Sequence, residues 1–63
     1  MTQVKNGDRF YDELNGRYLT VDGFGCDPNV CSCIVEEINE NDDLEITGRN
    51  LFHKNELLHF KKI

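Results

Sequence analysis

Three thiols stand close together in Cys26-Asp-Pro-Asn-Val-Cys31-Ser-Cys33, and two imidazoles follow at His53 and His59. Thiolates and imidazole nitrogens are the ordinary ligands of tetrahedral zinc, usually presented as two tight knuckles. Here the spacings are C-x4-C and C-x-C, and in an extended strand Cys31 and Cys33 point to one face, which makes a poor clamp. Cys26, Cys31 and Cys33 are therefore weak metal candidates. No metal and no cofactor is expected, with Cys33 buried as a small hydrophobe. A redox role is weaker still, because C-x-x-C is missing and acidic surroundings raise a thiol pKa. An odd thiol count excludes a complete set of disulfides and fits a reducing cytoplasm.

Nucleophilic catalysis needs a cysteine or serine held against a histidine by a third group. Paired carboxylates are present at Glu36-Glu37 and Asp42-Asp43, but neighbours on a strand face opposite ways and do not converge on one atom. A chain of 63 residues has little interior in which to enclose a reactant. The expectation is a single domain spanning residues 1–63 that binds and does not catalyse. No apolar run is long enough to span a bilayer and no signal-peptide pattern opens the chain, so a cytoplasmic protein with no membrane partner is expected.

Charge is divided along the chain. The net charge is −5, yet residues 26–48 alone carry −7 and contain no Lys or Arg, while residues 49–63 carry +3. Glu40, Asp42 and Asp43 lie in the acidic middle and, with Tyr11 and Tyr18, form the leading protein-binding candidates. Carboxylates select and accelerate encounter with a basic partner, and tyrosines supply contact area at low entropic cost. The alternative is nucleic-acid binding by Arg49, Lys54, Lys61 and Lys62, interleaved with Phe52, His53, His59 and Phe60. Cations then meet phosphates while rings stack on bases.

These side chains must be positioned by strands. Alanine is absent, β-branched and aromatic residues recur, and turn signals return about every 8–12 residues, the rhythm of a small antiparallel β protein. Strands are expected at Arg9–Asp12, Arg17–Phe24, Val30–Ile38 and Leu44–Thr47. A type I′ turn is expected at Asn15-Gly16, and Leu19 and Val21 share one face of the second strand. Cys31, Cys33 and Val35 share one face of the third. The tail reads as one helical turn near Lys54–Leu57 and a final strand over Leu58–Lys62. In a competing reading, Asn50 caps a helix from Leu51 to His59.

Gly7-Asp8-Arg9-Phe10 at the opening and Phe52-His-Lys-Asn-Glu-Leu57 near the end complete an order of four strands, a helical turn and a closing strand. That order resembles the SH3-like small barrels of Tudor and KOW type, and many short proteins of bacteria and their phages. The resemblance implies an all-β, five-stranded antiparallel barrel with a helical turn before the last strand. It implies a binding module, acting as an interaction, inhibitor or accessory factor, and it carries over no binding residues. A homodimer formed through exposed edge strands is a further expectation for so small a domain.

Overall fold

The computed structural model describes residues 4–63. They form β1 (Arg9–Asp12), β2 (Arg17–Phe24), β3 (Val30–Ile38), β4 (Leu44–His53), a single helical turn α1 (Lys54–Leu57) and β5 (Lys61–Lys62). The five strands make one antiparallel sheet in the order β4-β3-β2-β1-β5. β4 and β5 are its two edges, and no ladder joins them among the described residues.

Alternation decides the faces. Phe10 on β1, Leu19 and Val21 on β2, and Cys31, Cys33 and Val35 on β3 are buried, and Val4, Phe52 and Leu57 join them in the core. Burying a side chain of Leu or Phe size contributes roughly 1.5–3 kcal/mol. The core is therefore concentrated on three central strands. An extra residue in β2 between Val21 and Gly23 and another in β4 opposite Val35 and Glu36 interrupt the ladders. Bulges of this kind add local bend and twist.

The first connection differs from the expected turn. Asp12 pairs with Arg17, so the loop holds four residues, 13–16, and Asn15 does not take the positive φ that a type I′ turn requires. The reason is Asp12. Its carboxylate is buried and accepts hydrogen bonds from the Asn15 amide at 3.3 Å, Asn15 Nδ2 at 2.8 Å and Arg17 Nε at 3.0 Å. Gly16, at φ 61°, then closes the loop in the left-handed region.

Two expected boundaries are also corrected. The fourth strand does not stop at Thr47 but runs to His53, because beyond the extra residue at Thr47 β3 again offers partners, from Val35 as far as Val30. Asn50 lies in that strand opposite Cys33 and caps nothing. His53 is the cap: its Nδ1 accepts from the Asn55 amide at 3.1 Å, and Glu56 accepts from the His53 amide at 3.1 Å. This is a capping box with histidine in place of the usual Ser or Thr. The last strand is shorter than Leu58–Lys62, since the amides of Leu58, His59 and Phe60 still donate to α1 carbonyls. Only Lys61 and Lys62 pair, with Tyr11 and Phe10.

Candidate protein-interaction surface

The face opposite the core follows from the ladders. Residues directly across antiparallel strands share a face, and one row runs Lys61, Tyr11, Tyr18, Glu36, Ile46. Tyr11 and Tyr18, far apart in neither sequence nor space, have ring centroids 4.9 Å apart at a 40° tilt. The Arg9 guanidinium lies 5.2 Å from the Tyr18 centroid and donates to Glu36 Oε1 at 3.0 Å. A cation over a ring and a carboxylate beside the cation hold Tyr18 in place. Tyr11 also lines a cleft of about 360 Å³ between the first hairpin and the segment after α1, with exposed Leu14 and half-buried Phe60 beside it.

The same face continues onto the β3–β4 hairpin. Ile38 sits opposite Leu44, and Ile38, Leu44 and Ile46 are 55%, 45% and 65% exposed. Around them the tip is acidic and well formed. Asn39 Oδ1 accepts from the amides of Asn41 and Asp43 at 2.9 and 3.1 Å, and the Asn39 amide donates to the Asp43 carbonyl at 2.8 Å. Asp42 takes φ 67°, a conformation that Asp tolerates better than most residues. Glu40, Asp42 and Asp43 are exposed, and among the described residues none of them enters an ion pair. The structure thus brings Tyr11 to Tyr18, and Glu40 to Asp42 and Asp43. The signals for Arg9, Glu36 and the exposed isoleucines were the strand alternation itself, readable only once the register was known.

The basic residues are not gathered in the same way. Arg49 lies on β4 and is paired with Asp22, whereas Lys61 and Lys62 lie on β5 at the opposite edge, Lys62 within 3.6 Å of Asp8. Lys54 sits on α1 with its ammonium 5.8 Å from the Phe24 centroid. Phe24 itself is 42% exposed and does not join the core as Phe10 does.

The three thiols also part company. Cys26 is exposed in the loop after β2, while Cys31 and Cys33 are buried on the core face of β3. Burial pushes the Cys33 thiol up to about 11, and the charges of Cys31 and Asp22 act in the same sense. Burial raises Cys31 as well, opposed by the Lys54 charge. His53 spends Nδ1 on the helix cap. Among the described residues, no group of three or more Cys, His, Asp or Glu side chains is arranged to hold a metal. Nor is any helix among them long and apolar enough to cross a membrane. Comparison with protein-family models, curated proteins and solved structures found no match to this chain.

Proposed function

We propose that this chain is a small non-enzymatic binding module of SH3-like barrel type, an inhibitor or accessory factor. In this reading it docks a protein partner of basic and apolar surface on the outer face of the β3–β4 hairpin and the adjoining tyrosine pair. The sheet order, with the last strand returned beside the first after one helical turn, supports the barrel reading. One observation carries the function. Three exposed apolar side chains, Ile38, Leu44 and Ile46, are set among carboxylates at Glu40, Asp42, Asp43 and Glu45, with no cation between Cys26 and Gly48. Exposed apolar groups supply the contact energy and the carboxylates select a basic partner. A cytoplasmic setting agrees with three free thiols.

The test uses immobilised amphipathic peptides in which Lys or Arg alternates with Leu or Phe, alongside heparin and single-stranded DNA. Binding to the peptides should weaken with salt and be lost in the triple variant Glu40→Gln, Asp42→Asn, Asp43→Asn, which keeps the turn because Asn accepts left-handed φ. Replacing Lys54, Lys61 and Lys62 by Ala should leave it unchanged. Retention on heparin or DNA that vanishes in the lysine variant, without peptide binding, assigns the chain to nucleic acid instead.

A further inference from the structure

Asparagine is followed by glycine twice, at Asn6-Gly7 and Asn15-Gly16, and both asparagines are exposed. Asparagine is among the thermolabile residues. Its carboxamide carbon is open to attack by the amide nitrogen of the next residue, and glycine hinders that attack least because it has no Cβ. The reaction needs the carboxamide and the following amide both free, and at each site the fold holds one of the two. At the first it holds the nucleophile. The Gly7 amide donates to the Val21 carbonyl at 2.7 Å, the Val21 amide donates back to the Asp8 carbonyl at 2.9 Å, and Val21 is buried in the core. At the second it holds the carboxamide. Asn15 Nδ2 donates to Asp12 Oδ2 at 2.8 Å and the Asn15 amide to Asp12 Oδ1 at 3.3 Å, whereas the Gly16 amide meets no acceptor among the described residues.

We propose that Asn15 is a site of spontaneous covalent modification, converted to aspartate and isoaspartate through a cyclic imide with Gly16, and that Asp12 is the guard that slows the conversion. Residues 13–16 are all exposed, so this tip opens locally while the core stays closed. Freeing the Gly7 amide instead means taking apart pairing against a core strand, which is a costlier opening. In the open loop, solvent base takes the Gly16 amide proton and the nitrogen bonds to Asn15 Cγ. The Cγ–Nδ2 bond breaks, and ammonia leaves with a proton from water. A second water opens the ring at either carbonyl, returning the main chain to its old path or routing it through the former side-chain carbon. The net change is one water consumed and one ammonia released. The product carboxylate has no Nδ2–H to give Asp12 and sets a second negative charge beside it. Asp12 and Arg17 form the rung next to Tyr11 and Tyr18, and Glu13 and Leu14 line the cleft there. The conversion therefore alters that surface in one direction only.

The test ages the full chain in mildly alkaline buffer and follows each asparagine separately. Trypsin cleavage after Lys5, Arg9 and Arg17 leaves Asn6 in residues 6–9 and Asn15 in residues 10–17, and mass spectrometry reads the change from amide to acid in each peptide. In urea, with the chain unfolded, the two sites should convert at comparable rates. In the native chain Asn15 should convert severalfold faster than Asn6. Asp12→Ala should speed Asn15 by roughly tenfold or more, since a hydrogen bond to a charged group is lost, and should leave Asn6 at its native rate. General loosening of the fold would speed both, so Asn6 is the internal control. Circular dichroism confirms that Asp12→Ala folds, and the native ratio of the two sites stands without it. A native chain that converts Asn6 as fast as Asn15 overturns the proposal, as does one in which Asn15 stays intact while the unfolded chain converts fully. So does a folded Asp12→Ala chain in which Asn15 keeps its wild-type rate, or in which both sites accelerate alike.

Discussion

Asp12→Asn isolates the interaction that shapes the first hairpin. Asp12 is 1% exposed and accepts three hydrogen bonds, two from Asn15 and one charge-assisted bond from Arg17. The carboxamide keeps the size of the side chain but turns an amino group towards donors. A hydrogen bond to a charged group contributes about 1.5–3 kcal/mol and a neutral one about 1 kcal/mol. Asn15 and Arg17 can turn partly to water, and the lost desolvation cost offsets some of the damage. The net loss works out at about 2–3 kcal/mol, against a total of roughly 3–9 kcal/mol for a domain of this length. Thermal unfolding should fall by on the order of 10–20 °C.

The same latch carries a pH signature. Burial alone pushes the Asp12 carboxyl up, but the hydrogen bonds from Asn15 and Arg17 more than cancel it and hold it below its ordinary value. A depressed folded-state pKa stabilises the fold above the unfolded value of about 3.9 and is lost as pH falls through the folded one. Urea unfolding, followed by far-ultraviolet dichroism, should therefore show the wild-type advantage over Asp12→Asn in full at pH 7 and shrinking steadily below about pH 4. A difference under about 0.5 kcal/mol at pH 7, which is the scatter of ordinary surface substitutions, refutes the reasoning. A difference that does not change with pH refutes the charge-assisted part of it.

Thiol labelling with an aromatic disulfide should modify Cys26 at once in native protein and reach Cys31 and Cys33 only on unfolding, as read by absorbance with and without denaturant. Because the Cys33 thiol is raised to about 11, its burial favours the fold below the unfolded value of about 8.5 and is lost as pH rises from there towards the folded one. Stability measured by urea titration should accordingly decline across that alkaline window, and a Cys33→Ala variant should decline less steeply. His53→Ala removes the cap of α1 and should cost about 1 kcal/mol, with His53→Asn restoring much of it. Equal melting temperatures for wild type and His53→Ala show that the capping box contributes nothing.

Strand positions were legible where period-two patterning met strong turn residues. Arg9–Asp12, Arg17–Phe24 and Val30–Ile38 have the same bounds in sequence and structure, because each strand is entered from Gly, Asn or Asp, and the helical turn matches as well. The buried face of Cys31, Cys33 and Val35 was legible for the same reason. Leu44–His53 was not, since Gly48 and Asn50 are local signals for stopping a strand. They were overridden by a neighbour that supplies partners on both sides of the extra residue at Thr47. Asp12 is the instructive miss: the Asn15-Gly16 turn signal was real, but a carboxylate three residues earlier captured Asn15 and changed the loop.

The amino-acid order alone thus determined the β class, the number of strands, the inward residues of the central three and the uneven spread of charge. All of these depend on local periodicity and composition. Tertiary structure decided which charges are paired and which stand free, that Tyr18 shares a cation with Glu36, that the thiols separate between loop and core, and that β4 is an exposed edge. Those outcomes depend on cross-strand register, and a shift of one residue would have sent every side chain to the other face.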